Sequence, residues 1–158
     1  MTDIVIKAEN LGKRYRRQHS VITTEVTEGH GGGKGMNQNE ISGQIVDAAM
    51  KVHSTLGPGV LESAYEACLA YELTQRGLHV ATQIGLPLIY EEVKLDVGYR
   101  IDLLVEDQVI VELKVVDQIL PIHKAQLISY LKLSNRSLGL LINFHVEHLK
   151  NGIIRLVN

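Results

Sequence analysis

The sequence predicts an α/β fold, a mixed central sheet flanked by helices, and three observations carry that expectation. Two early segments repeat apolar residues every three or four positions. A long middle stretch alternates apolar and polar residues, and a third helical segment then separates two final apolar runs. The predicted order is therefore helix, helix, three or four antiparallel strands, helix, strand, strand, an arrangement that layers helices on a sheet.

The first helix is expected over Glu40–Thr55, where Ile41, Ile45, Ala48 or Ala49, Val52 and Leu56 form one apolar stripe. Gly57-Pro58-Gly59 ends it. The second should run from about Leu61 to Arg76, with Leu61, Ala64, Tyr65, Cys68, Leu69 and Leu73 inward and Gly77 as its stop. Glu62 and Glu66 stand four apart on it and point one way. Val80–Tyr90 reads as an extended segment broken at Gly85-Leu86-Pro87, and Pro87 assigns it to an edge or a bend. Glu91-Glu92 makes a turn. From Val93 to Val105 the odd positions are apolar and the even ones mostly polar, the period of a strand, with Gly98 marking a bulge. Pro121 opens a third helix reaching about Asn135, with Leu120, Leu127 and Leu131 in one stripe and His123, Gln126 and Tyr130 in the next. Ser137–Phe144 and Gly152–Val157 are the last strands.

The chemistry concentrates in the stretch from Tyr99 to Lys114. Ile101–Val105 and Val109–Val116 flank the polar tripeptide Glu106-Asp107-Gln108, which reads as a hairpin. If the loop is symmetric about Asp107, Asp102 faces Glu112 and Arg100 faces Lys114. Side chains alternate with period two, so Asp102, Glu112 and Lys114 share a face with Leu104, Ile110 and Val116. Two carboxylates opposed at about 5 Å repel, and one pKa rises unless a divalent cation lies between them. The residues alone leave two readings open: a solvated surface pair, or a charged group built into a buried strand, which needs a partner, a metal or a function.

Asp102, nine residues, then Glu112-Leu113-Lys114 resembles the D…(D/E)-x-K signature of the PD-(D/E)XK nuclease superfamily. Gly59-Val-Leu-Glu62-Ser-Ala-Tyr65 resembles the G-x-x-E-x-x-Y motif of a small bacterial family within it. Arg100-Ile-Asp102-Leu-Leu-Val, Val111-Glu112-Leu-Lys114 and His123-Lys-Ala-Gln126-Leu-Ile-Ser-Tyr130-Leu follow in that family's order. The resemblance runs from about Asn39 to the C-terminus. It implies a restriction-endonuclease-like αβββαβ core and hydrolysis of phosphodiester bonds in nucleic acid, DNA over RNA. It further implies Mg²⁺ or Mn²⁺ held by Asp102, Glu112, the Leu113 carbonyl and Glu62, with Lys114 and Gln126 completing the catalytic set.

Residues 1–36 read as a flexible leader or the remnant of a fused segment, ahead of a nuclease-like domain over 37–158. Residues 1–17 resemble the opening strand of ABC-transporter ATPase domains, through Ile4-Val-Ile and Tyr15. Gly31-Gly-Gly-Lys34-Gly35 nevertheless fails the phosphate-loop pattern, since Gly35 stands where Ser or Thr must bind magnesium. Nucleotide binding is therefore not expected. His145-Val-Glu-His148 lacks a second ligand pair and is not read as a zinc site. Cys68 is the single cysteine, no apolar run approaches a membrane span, and no signal-peptide pattern opens the chain, which together point to the cytoplasm. The charge argues the other way on nucleic acid. Residues 37–158 carry ten Lys and Arg against fourteen Asp and Glu, a balance of −4, with no basic stripe. The rival expectation is a catalytically silent nuclease-like module that binds a protein partner or a second copy of itself.

Overall fold

A computed structural model describes residues 35–158, so all of the expected leader before residue 35 falls outside the described residues. Helix α1 spans Gln38–Leu56 and α2 spans Glu62–Gln75. Strands follow at β1 Val80–Tyr90, β2 Val93–Val105 and β3 Val109–Lys114, then α3 Pro121–Leu133, β4 Leu138–Asn143 and β5 Ile153–Val157. A short 3-10 turn at Leu149–Asn151, not foreseen from the sequence, precedes β5. The strands form one five-stranded sheet in chain order. It is mixed, because α3 carries the chain from β3 to a parallel β4 while the other neighbours are antiparallel.

Local chemistry sets the helix starts. Asn37 caps α1 by accepting from the Asn39 and Glu40 N–H groups at 3.0 Å each, and Glu40 returns a bond to the Asn37 N–H at 2.8 Å. At α3, Pro121 takes the first turn and the His123 Nδ1 accepts the Leu120 N–H at 3.1 Å. Two expected core residues are corrected by these starts. Leu61 is 76% exposed because it stands before the first turn of α2, and Leu120 is 47% exposed for the same reason at α3. A helical period identifies a stripe but not where the helix begins.

The sheet buries both faces. On one face Ile41, Ile45, Tyr65, Leu69 and Leu73 of α1 and α2 pack on Leu103, Val111, Leu113 and Leu140. On the other, Leu127, Tyr130 and Leu131 of α3 pack on Leu104, Ile110 and Leu141. Central strand β3 is consequently buried from end to end apart from the half-buried Lys114, the environment its near-continuous apolar run requires. Phe144 stacks on Tyr65 with ring centroids 4.3 Å apart, a contact worth about 1 kcal/mol beyond area burial.

The hairpin register matches the symmetric loop: Leu103 pairs with Val111, Leu104 with Ile110 and Val105 with Val109. Val80–Tyr90 is an edge strand as expected, but one continuous strand instead of a broken one. The irregularity at Pro87 is absorbed by a register shift, from Leu86↔Tyr99 to Leu88↔Leu95, whose surplus residues on β2 include Gly98.

Packing is close where β4 turns toward β5. A Cβ added at Gly152 would stand 2.3 Å from the Asn143 backbone oxygen. A backbone atom cannot rotate away, so Gly152→Ala is expected to destabilise the fold by about 1–3 kcal/mol, visible as a lower thermal midpoint. An unchanged midpoint would mean the β4–β5 connection is looser than this geometry.

Candidate active site

The site grows out of the place where β2 and β3 part. Their paired residues end at Leu103↔Val111, and one step beyond, Asp102 turns its carboxylate across the gap to accept the Leu113 N–H at 2.8 Å. That bond satisfies a donor the ladder would otherwise leave open. Glu112 projects from the central strand and is 2% exposed. Its Oε1 takes the Lys114 ammonium at 2.6 Å, two residues along the same face. Among the described residues its Oε2 is buried with no hydrogen-bond partner. An orphaned carboxylate oxygen in a protein interior costs several kcal/mol unless something binds it. Arg100, expected opposite Lys114, instead pairs toward β1 and donates to Gln83, because the β2–β3 ladder has already ended.

Helix α2 brings two more carboxylates to this end of the sheet. Glu62 lies in its first turn, near the end of β3 and close enough to Lys114 and Asp102 for their charges to act on it. Glu66, one turn on, accepts from the Gln83 amide at 2.5 Å. The G-x-x-E-x-x-Y segment acquires a physical reason here. Gly59 holds φ +98°, a conformation other residues rarely adopt. The Tyr65 hydroxyl donates to the Gly57 carbonyl at 2.5 Å and accepts the Val60 N–H at 3.2 Å. The loop is thereby tied to the helix that follows it, and Glu62 is presented at the helix start. Tyr65→Phe should keep the ring in the core but lose both bonds, lowering stability by about 1–3 kcal/mol. The same substitution should weaken divalent-cation binding in calorimetry if Glu62 depends on that loop. Wild-type cation affinity in a folded Tyr65→Phe would break the link.

All four carboxylates are shifted one way. Burial, with Asp102 next in weight, pushes Glu112 up to about 7 against the pull of Lys114. Burial also raises Asp102, against the Leu113 N–H and the Lys114 charge. Glu62 is raised by burial, partly offset by Lys114, and Glu66 by burial, partly offset by the Gln83 bond. Burial pulls the Lys114 ammonium down, but the bond to Glu112 and the charges of Glu112, Glu62 and Asp102 together lift it above its ordinary value. Repulsion between Asp102 and Glu112 therefore contributes as expected, although desolvation is the larger cause.

Among the described residues Gln126 makes no hydrogen bond to the carboxylates. Its amide donates to the Tyr130 hydroxyl at 2.8 Å on its own helix. His123 is occupied as the cap of α3. Two contributors escaped the sequence reading. Gln83 sits in the left-handed region at φ +54° and aims its amide at Glu66 and Asp102. Asn143, 2% exposed, brackets Val116 through its N–H at 3.1 Å and its carbonyl at 2.7 Å, fixing the exit from β3. Neither carries a spacing signal, since each acts through a conformation or a buried amide.

The donor set is all oxygen, the preference of a hard divalent cation. Among the described residues no three Asp, Glu, His or Cys side chains converge into a complete cage. With three carboxylates around one ammonium and one carboxylate oxygen unpartnered, the residues fit such an ion.

A mixed sheet flanked by helices, with a carboxylate pair and a lysine at the end of its central strand, places the chain among α/β proteins with an acidic site at a strand end. The superfamily follows from the sequence comparison: a family model of the PD-(D/E)XK nuclease superfamily matches residues 39–156, and the chain belongs to it. The observed fold is consistent with the restriction-endonuclease-like architecture. No curated protein and no solved structure gave a match.

Proposed function

We propose that this protein is a metal-dependent nuclease, acting on DNA in preference to RNA, and that it falls in the G-x-x-E-x-x-Y group of its superfamily. Membership of a nuclease superfamily supports nucleic acid as the substrate. The observation that carries the metal is the buried, unpartnered Glu112 Oε2 beside Asp102. Asp102 and Glu112 would hold Mg²⁺ or Mn²⁺, with the Leu113 carbonyl and Glu62 completing the shell. A bound cation would supply Lewis-acid polarisation of the phosphoryl group and a water of lowered pKa.

The remaining roles belong to the chain. Lys114, its ammonium charged and fixed against Glu112, would stabilise negative charge developing on the phosphoryl oxygens. Asp102 would offer its carboxylate to the cation while its Oδ2 is held by the Leu113 N–H. Glu62 would orient the water's approach from the α2 side. Gln126 spends one N–H on Tyr130, and its role rests on the family resemblance alone. Among the described residues no helix is long and apolar enough to cross a membrane, and a cytoplasmic location is proposed from the lone cysteine.

The test is calorimetric titration of Mg²⁺ and Mn²⁺, followed by incubation with labelled single- and double-stranded DNA and RNA. Metal binding with metal-dependent cleavage is the expected result. Absence of metal binding would leave a nuclease-like interaction module.

A further inference from the structure

We propose that Arg100 holds a phosphate of the substrate next to the one being cleaved. Gln83 is the positioning residue that keeps its guanidinium from pairing with the acidic cluster. The proposal rests on the nuclease reading and adds which side chain meets the polyanion at the Glu66 edge of the site.

Arg100 and Gln83 meet across the β1–β2 ladder, where Arg100 pairs with Gly85 and Gln83 is skipped between Thr82↔Leu103 and Ile84↔Ile101. The Arg100 Nη1 donates to the Gln83 Oε1 at 3.4 Å, and the Gln83 Nε2 donates to the Glu66 Oε2 at 2.5 Å. The amide thus stands between a cation and a carboxylate and spends one end on each. Arg100 is close enough to Glu66 for its charge to pull that carboxyl down. A guanidinium so near a carboxylate ordinarily forms a direct, charge-assisted and often bidentate pair. Among the described residues Arg100 forms no ion pair, whereas Lys114 is bound to Glu112.

The backbone marks this separation as built. Gln83 holds φ +54°, in the left-handed region that a long side chain adopts at a cost. It is exposed and belongs to neither core, so packing does not ask for a glutamine there. Its amide does. The arrangement leaves the exposed guanidinium most of its five donors, and a neutral partner releases it to a phosphate more readily than a carboxylate would. Arg100 stands two residues before Asp102, about 7 Å of strand. Its charge therefore lies beside the carboxylate pair, and Lys114 remains the cation of the reacting centre. Contacts to neighbouring phosphates fix the register of a nucleic acid without reading its sequence. An uncommitted cation at that point also helps a segment of net charge −4 hold a polyanion.

The test is cleavage kinetics in Mg²⁺ and fluorescence anisotropy in Ca²⁺, each with labelled single-stranded DNA, duplex DNA and RNA. Arg100→Gln should raise KM about ten-fold with kcat little changed, the pattern of a lost binding contact. It should also lower the slope of log affinity against log salt by about 0.7–0.9, one phosphate's worth. Mg²⁺ affinity in calorimetry should stay at the wild-type value. Arg100→Lys should recover the salt slope and part of the affinity, since the charge returns without the fork. Gln83→Gly removes the amide and suits the backbone angle, so the thermal midpoint should hold. Arg100 is then free to pair with Glu66, and affinity and salt slope should fall as in Arg100→Gln. The double variant should be no worse than either single one, and Glu66→Gln added to Gln83→Gly should restore binding. Wild-type KM and salt slope in Arg100→Gln, with cleavage intact, would overturn the phosphate contact and leave the nuclease standing. Wild-type affinity in Gln83→Gly beside a weakened Arg100→Gln would overturn the positioning role. Neither binding nor cleavage of any of the three by the wild type would remove the nuclease reading as well.

Discussion

Asp102→Asn is expected to abolish metal-dependent cleavage, by at least about 10²–10³-fold, without loosening the fold. The carboxylate does two jobs in the structure, and the substitution separates them. One oxygen accepts the Leu113 N–H at 2.8 Å, a bond that an asparagine carbonyl oxygen keeps. What disappears is the negative charge, which burial already disfavours in the free protein. The thermal midpoint in EDTA should therefore hold or rise, while calorimetry shows Mg²⁺ and Mn²⁺ affinity falling. The magnitude follows from loss of preorganised charge at a phosphoryl centre, where even a single donor is worth about 10²–10³ in rate. Glu112→Gln should behave alike. Cleavage at the wild-type rate by either folded variant would show that these carboxylates do not hold the ion.

Why so much of this site could be read in advance, and why part of it could not, is visible in individual residues. The three-residue turn at Glu106-Asp107-Gln108 fixes the hairpin register, so Asp102 and Glu112 follow from counting along two strands. The near-continuous apolar run of β3 announces burial, and a glutamate inside it announces cost. Counting puts Arg100 opposite Lys114 because it assumes the ladder continues, whereas the ladder ends at Leu103↔Val111 and Asp102 closes the gap with its side chain. Gln83 is invisible to counting altogether. It owes its position to a backbone angle of +54° in the middle of an edge strand, skipped between Thr82↔Leu103 and Ile84↔Ile101. Tyr65 reads as a core residue and is one, but its hydroxyl also fastens the Gly57–Val60 loop. Apolar periodicity reports the ring and is silent about the oxygen.

The second large effect concerns stability instead of rate. In EDTA the protein should lose stability as the pH rises from about 5 to about 8, by up to about 3 kcal/mol. Glu112 has an ordinary value of 4.5 and is pushed up to about 7 in the fold. Below 4.5 both folded and unfolded chains carry the proton, and Glu112 leaves stability untouched. Between 4.5 and 7 the unfolded chain releases a proton that the folded chain keeps, so each step upward favours unfolding. Above about 7 the full penalty of a buried carboxylate is in place. Asp102, Glu62 and Glu66 are raised as well and add the same sign. Lys114, also raised, stays charged in both states across this window and contributes only at much higher pH. Urea midpoints in EDTA at the two pH values measure the effect, and Glu112→Gln should flatten it. Added Mg²⁺ should raise the midpoint most at the higher pH, because the ion binds the folded, ionised form. A metal-free protein equally stable at both values would mean that Glu112 is solvated, and the cost that argues for a bound cation would vanish with it.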